Sequence, residues 1–193
     1  MSLAQTQSAL ARLYTDAALR ERFFADPVST AATLGLTTET AEQLARMSAA
    51  ELTSFAHSLR AKRLNDLGKM LPLTRDALGQ RFGELFSHYS AAPAPPGERK
   101  IQQDALSFAN FLTRALELDG APATFLLDLV RFEAACLAAA QPSPCLLARR
   151  LRHGVPELLE GTMDEPRPTL AVWLRLSERG RLRRFAFSFP RIS

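Results

Sequence analysis

The feature that most constrains this chain is a change in its hydrophobic period near residue 142. Up to about residue 140, apolar residues recur at the three- and four-residue spacings typical of one helix face. Beyond the Pro-Ser-Pro segment at 142–144, the period becomes that of strands. We therefore predict an α+β fold, with a mainly α-helical N-terminal bundle over 1–141. A small three-stranded antiparallel β-sheet region over 142–193 is expected to pack on this bundle.

Local signals divide the helical part. Residues 26–35 begin with an Asp-Pro pair that can cap a helix and end with a glycine that can stop it. Ser48 opens a capping box before a long helix, which Pro72 is expected to end. Thr74 is then predicted to cap a helix that reaches Tyr89.

Two helices and three strands are predicted in the rest of the chain. The helices cover 99–118 and 122–140, and the second is apolar on most sides, which is typical of a central helix. The strands cover 145–153, 169–176 and 182–189, with a glycine-containing hairpin loop between the last two. The phenylalanines of the last strand are expected to pack on the central helix.

The positive charge is concentrated near the C-terminus. The net charge is +4, and residues 145–193 hold ten arginines against five acidic residues. This distribution suggests an anionic partner or an acidic patch on a protein. The most apolar stretch, 121–140, is interrupted by Asp128, Arg131 and Glu133, so no membrane span is expected. With no signal peptide and only two cysteines, the sequence favours a cytoplasmic protein with free thiols.

Signatures of catalysis and metal binding are missing from the sequence. His57, His88 and His153 have no histidine or cysteine neighbours at metal-ligand spacing, and Cys136 and Cys145 are too far apart for a redox or zinc motif. No nucleophile elbow, phosphate loop or dinucleotide fingerprint occurs. We therefore expect a non-enzymatic chain without a metal or cofactor of its own.

Two arginines lie within the long helix that follows Ser48. Helical periodicity places Arg63 on the same side as several apolar residues, close to Arg60. An internal ion pair, for example with Asp104, is one explanation for a charge there. Docking onto a partner subunit is the other, because the guanidinium group matches carboxylates well.

The arginine-rich C-terminal sheet has three interpretations. It can be a solvated face, or its last strand can accept an extended peptide along an open edge. The third interpretation is nucleic-acid binding, with arginines on phosphates and aromatic rings stacked on bases. Lysine is scarce in this chain, at three residues, and the aromatic residues are expected to be buried, so nucleic acid is the less favoured partner.

Several segments resemble a known family. They are Leu13–Pro27, Phe55–Leu64, Leu71–Thr74, Asp104–Ala109 and Arg131–Ala135. Together these segments resemble the partner-protein family that accompanies multinuclear non-haem iron oxidases acting on ribosomally made peptides.

The resemblance implies an accessory role in methanobactin biosynthesis. Members form a heterodimer with an MbnB-like iron oxidase, which holds the iron, and the complex converts cysteines of an MbnA-like precursor peptide to oxazolone and thioamide groups. The resemblance also implies that the accessory subunit helps to hold the leader segment of the precursor. The product of such a pathway is a copper-chelating peptide.

In this role, the C-terminal sheet is the expected binding site for the leader. We predict that strand 182–189 pairs with the leader, that Arg181, Arg183 and Arg184 orient it, and that Phe185 and Phe187 contact it. Strand 145–153 is the other candidate edge if 169–176 is central. The helical body would dock on the iron enzyme through the two arginines of the long helix, Arg60 and Arg63. A stand-alone nucleic-acid-binding or regulatory helical protein is the alternative, and a scaffold that never touches substrate is a third.

Overall fold

The computed structural model describes residues 3–92, 94–95, 97, 99–118, 124–161 and 166–189. Within these ranges the chain is α+β, with a helical N-terminal region followed by a three-stranded antiparallel sheet, as predicted. The elements are α1 (Leu3–Thr15), α2 (Ala17–Ala25), α3 (Pro27–Leu34), α4 (Thr38–Ala45), α5 (Ala49–Met70), α6 (Pro72–Leu78), α7 (Gln80–Tyr89), α8 (Lys100–Leu118), α9 (Thr124–Ala139), β1 (Cys145–Leu151), α10 (Val155–Glu160), β2 (Thr169–Arg175) and β3 (Arg183–Ser188). The predicted start of the central helix at Pro122 lies outside the described residues.

The chain divides into two compact units. One unit comprises Met1–Arg63 with Ser90–Pro93, and the other comprises Leu64–Tyr89 with Ala94–Ser193. Helix α5 therefore contributes residues to both. The sequence-based boundary between residues 141 and 142 stays a prediction.

The first unit is built by α1–α4 and the first part of α5 around a small apolar core that includes Leu13 and Phe23. Its predicted helix caps are confirmed. The Asp26 carboxylate accepts a hydrogen bond from the Ser29 N–H at 3.0 Å, and this bond lowers the pKa of Asp26. Gly35 ends α3 with φ at 67°, a left-handed conformation that favours glycine.

The second unit has two apolar clusters. The first surrounds Phe108 of α8, against which the rings of Phe82 and Phe86 pack edge to face. The second lies between α9 and the sheet, where Trp173 and Phe132 are buried with ring centroids 5.8 Å apart. The sheet is thus attached to α9 by its inner face.

The predicted helix from Thr74 to Tyr89 is wrong in its start and its continuity. Pro72 is the first residue of α6, and Gly79, with φ at 55°, separates α6 from α7. Thr74 is a buried residue of α6 rather than its cap. The Glu133 carboxylate of α9 does the capping, since Leu73 N–H donates to its Oε1 at 2.9 Å and Thr74 N–H to its Oε2 at 2.8 Å.

The stability of the second unit should depend on pH through Glu133. Burial raises the pKa of this carboxyl group above 4.5, and hydrogen bonds from Thr74 and Leu73 oppose the increase only in part. The folded chain therefore binds the proton more tightly than the unfolded chain. The resulting stabilisation is complete below pH 4.5 and is lost as the pH rises through the folded pKa, at about 1.4 kcal/mol per unit of difference.

We expect wild type to lose stability relative to Glu133→Gln as the pH is raised from 4 to 8, because glutamine does not titrate. Denaturant unfolding followed by Trp173 fluorescence measures this difference, since Trp173 is the only tryptophan and is buried in the second unit. Glu84→Gln, at an exposed position of α7, is the matched control. A wild-type-minus-variant difference that is constant with pH, or grows in favour of wild type, would contradict the prediction.

Candidate peptide-binding sheet

Strand β3 is an edge of the sheet. The strand order is β1-β2-β3, so β2 is central and both β1 and β3 are edges within the described part of the chain. The Phe189 N–H donates to the Pro168 carbonyl oxygen at 2.9 Å, so the backbone of Phe189 points towards the neighbouring strand. In an antiparallel ladder every second residue does the same, which determines the direction of the backbone groups along β3. By this alternation, the backbone groups of Arg184, Ala186 and Ser188 point away from β2. Among the described residues, none forms a hydrogen bond with these outward groups.

The β1 edge also has outward-pointing backbone groups, but one of them already forms a hydrogen bond. The alternation along β2 directs the backbone groups of Leu146, Ala148 and Arg150 away from the sheet. The carbonyl oxygen of Ala148 accepts a hydrogen bond from Nη1 of Arg149 at 3.0 Å. An arginine side chain therefore already occupies part of this edge.

The phenylalanines of the last strand are not buried, which corrects the sequence-based expectation. Phe185, Phe187 and Phe189 are 42%, 53% and 51% exposed. The register explains this, because α9 packs on the side of Trp173, whose partner on β3 is Arg184. The phenylalanines lie on the opposite side, where the rings of Phe185 and Phe187 stack with centroids 6.4 Å apart and planes at 15°.

We call this opposite side the outer face of the sheet. It consists of nine strand residues, of which seven are apolar, two are arginines and none is acidic: Leu146, Ala148, Arg150, Leu170, Val172, Leu174, Arg183, Phe185 and Phe187. Leu146 is the most exposed of the large apolar side chains on this face, at 74%. An exposed apolar surface of this kind is typical of an interaction site.

The predicted site residues fall into two groups. Arg181, Arg183, Arg184, Phe185 and Phe187 lie together on or immediately before β3, with Arg183 and Arg184 on opposite faces of the strand. All five are exposed, so each is accessible to a peptide alongside the strand.

The predicted docking residues, Arg60 and Arg63, belong to α5 in the first unit. Arg60 is exposed, and Arg63 is half-buried and donates to the Ala92 carbonyl oxygen at 2.9 Å. The predicted ion pair between Arg63 and Asp104 stays a prediction. Asp104 is buried and accepts a hydrogen bond from the Tyr89 hydroxyl at 2.6 Å.

The inner side of β3 adjoins a thiol. Burial raises the pKa of Cys136, while the neighbouring Trp173 side chain and the Arg184 guanidinium group oppose the increase only in part. Both cysteines are free, as expected, and Cys136 is half-buried. The raised pKa keeps this thiol protonated and poorly reactive near neutral pH. Arg184 thus presents positive charge where the β3 edge meets α9.

The sequence does not predict the buried polar pair of Asp128 and His153. Asp128 of α9 accepts, through Oδ2, hydrogen bonds from the backbone N–H of Arg152 at 2.6 Å and of His153 at 3.0 Å, and contacts His153 Nδ1 at 2.9 Å. The two side chains are 25 positions apart and almost fully buried. The pair therefore attaches the turn between β1 and α10 to α9.

Side chains suited to metal binding are scattered. Within the described ranges, no three histidine, cysteine, aspartate or glutamate residues are grouped closely enough to hold a metal ion. The helices of these ranges also include none with both the length and the apolar character of a bilayer span.

Comparison with known proteins gives one match. Residues 41–114 match the family model described as "SCO6045-like, C-terminal domain". No curated protein and no solved structure is significantly similar to the chain. The matched range covers the end of α4, all of α5–α7 and most of α8, and does not reach the sheet.

Proposed function

We propose that this chain is an MbnC-like accessory subunit of an iron-dependent oxidase that modifies a ribosomally made peptide. In this role it is not itself an enzyme. It forms a heterodimer with an MbnB-like oxidase, which holds the iron, and binds the leader of an MbnA-like precursor. The partner then converts precursor cysteines to oxazolone and thioamide groups in methanobactin biosynthesis.

The open edge of β3 is the observation that carries this proposal. Arg184, Ala186 and Ser188 present unused backbone donors and acceptors over five residues, which is enough to pair with a short extended segment. Unpaired edges are usually blocked in soluble proteins, and an available one is a template for another strand.

Side chains on both faces of β3 would select the leader. A strand added beside β3 places alternate side chains next to Arg183 on the outer face and next to Arg184 on the inner face. Carboxylates at neighbouring leader positions would therefore each find an arginine. Phe185 and Phe187 offer apolar contact on the outer face only.

Leader binding contributes to the reaction by positioning. Holding the leader on this subunit raises the concentration of the precursor cysteines near the partner's iron and limits their direction of approach. The iron supplies the oxidation chemistry, and this chain supplies the binding energy. Arg60 and Arg63 of α5 are the proposed contacts with the oxidase, in keeping with the preference of arginine for subunit interfaces.

Co-expression with an MbnB-like oxidase tests the proposal. We expect a one-to-one complex in size-exclusion chromatography with mass determination, with iron in the complex and none in this chain alone. Charge reversal of Arg60 and Arg63 should weaken the complex, whereas Arg46→Glu, an exposed substitution outside α5, should not. A chain that stays monomeric beside such an oxidase would contradict the accessory role.

Nucleic-acid binding is the second candidate, and the exposure of Phe185 and Phe187 favours it. Exposed aromatic rings beside arginines are a feature of single-strand binding surfaces. The two candidates differ in salt dependence, because phosphate contacts release counterions and affinity then falls steeply with salt. Titration of a single-stranded oligonucleotide at several salt concentrations, without any partner protein, distinguishes them.

A further inference from the structure

The central strand β2 is apolar on both of its faces. Ala171 and Trp173 face α9 and are buried, whereas Leu170, Val172 and Leu174 alternate with them on the outer face. A strand with a continuous apolar run is typical of a sheet that is covered on both sides. The described part of the chain covers one side only, and on the other side the surface remains accessible to solvent.

The size of the outer face limits what can cover it. Three strands about 4.8 Å apart and some five to seven residues long present roughly 300 Å². A stable protein–protein interface buries about 800 Å² on each partner, so this face is too small to hold a second copy of the chain by itself. Its width suits a single α-helix, which is about 10 Å across with its side chains.

Charges on the outer face specify the helix further. Arg150 is opposite Leu170, and Arg183 is opposite Leu174, so the two arginines occupy diagonal corners of the face. Acidic residues are absent from this face. A helix along β2 would need an acidic side chain on one flank near one end and another on the opposite flank near the other end.

The spacing of these acidic residues follows from geometry. Four strand residues separate the two corners along the sheet, which is about 13 Å. That length corresponds to about nine residues of helix, and nine residues are two and a half turns. Two side chains at i and i+9 therefore emerge on opposite flanks of one apolar stripe, as the diagonal arginines require.

We propose that the outer face binds an amphipathic helix of a protein partner, with two carboxylates nine residues apart that pair with Arg150 and Arg183. The helix adds a third layer to the α9–sheet pair. This surface shares Arg183, Phe185 and Phe187 with the proposed leader site, but its far side, with Leu146 and Arg150, lies on β1, two strands away from the β3 edge.

Designed peptides test the proposal on the full-length chain. The first is an 18-residue helix with a leucine stripe and glutamates at i and i+9. The second carries lysines at those two positions, and the third carries glutamates at i and i+7, on one flank. Fluorescence anisotropy of each labelled peptide, titrated with the protein, gives the affinities. We expect the first peptide to bind about tenfold more tightly than either of the others.

Variants locate the binding to this face. Leu146→Ser should weaken all three peptides, and Arg150→Glu should weaken the first about tenfold and strengthen the second. Arg114→Glu, an exposed substitution on α8, is the control and should not change the affinity of any of the peptides. Circular dichroism confirms that each variant is folded.

Four results would overturn the proposal. Equal affinities for the glutamate and lysine peptides would exclude charge selection, and insensitivity to Leu146→Ser would exclude the outer face. Sedimentation that shows a dimer broken by Leu146→Ser would assign the face to a second copy instead. Anionic vesicles and a single-stranded oligonucleotide serve as further probes. If the protein binds one of them but none of the peptides, and Arg150→Glu abolishes that binding, the face belongs to that ligand instead. Leader binding through the backbone edge of β3 is tested separately, because the variants used here, Leu146→Ser and Arg150→Glu, are both on β1.

Discussion

Asp128→Ala should destabilise the second unit by about 3–5 kcal/mol, the largest effect that we expect from any single substitution outside the apolar cores. The carboxylate is 2% exposed and accepts from two backbone N–H groups, those of Arg152 and His153, besides contacting the His153 ring. Alanine leaves these groups without an acceptor, at about 1–3 kcal/mol for each buried group that water cannot reach. Since domains of this size are stable by only about 5–15 kcal/mol, the loss should be evident at room temperature.

Chemical denaturation measured by Trp173 fluorescence and by circular dichroism would show the effect as a lower midpoint. Asp128→Asn should cost less than alanine, because the amide oxygen still accepts hydrogen bonds although the charge is lost. Glu117→Ala is the matched control, since its carboxylate pairs with Arg131 at 2.7 Å on the surface. That exposed pair should contribute at most about 1 kcal/mol. An Asp128→Ala midpoint equal to that of the control would show that the buried carboxylate does not hold the β1–α10 turn.

The sequence predicted those parts of the fold that depend on near neighbours. The Asp26 cap and the Gly35 stop of α3 lie at the two ends of one short helix, and both are correct. The cap of α6 was assigned wrongly because its acceptor is Glu133, which is 60 positions from Leu73. Local sequence contains no signal for a cap that only tertiary packing brings into place.

The alternation of β3 illustrates a second limit. The pattern separated Phe185 and Phe187 from Arg184 and Ala186 correctly, but alternation does not tell which side is buried. Hydrophobicity favoured burial of the phenylalanines. The register with β2 decides otherwise, because Trp173 fills the space below α9 and its neighbour on β3 is Arg184. The same apolar residues therefore form a surface rather than a core.

The sequence predicts only part of the candidate site. It predicts a strand over 182–189, and β3 lies within this range at Arg183–Ser188. Which backbone groups point outward depends on the ladder and could not be known from the sequence. The donors and acceptors on the open side are those of Arg184, Ala186 and Ser188, whereas those of the phenylalanine positions face β2.

Ala186→Pro should weaken leader binding at least about tenfold if β3 is the edge that accepts the leader. Proline removes the outward N–H of this position and places its ring where the added strand would lie. Because the N–H of Ala186 is not part of the β2–β3 ladder, the sheet itself should stay intact, as proline is tolerated at the solvent side of edge strands. Phe185 and Phe187 are poorer choices for proline, because their N–H groups point into the ladder.

Ala148→Pro on β1 is the matched control for this experiment. Ala148 is also an exposed alanine of an edge strand with an outward N–H, so the two substitutions make the same local change on opposite edges. Isothermal titration of a leader peptide into each variant, with folding confirmed by Trp173 fluorescence, compares them. Loss of affinity in Ala186→Pro alone places the leader on β3, whereas loss in Ala148→Pro alone moves it to β1. Unchanged affinity in both variants would mean that the leader is not bound by strand addition. An added strand must pair with β1 or β3, and proline would weaken that pairing on either edge.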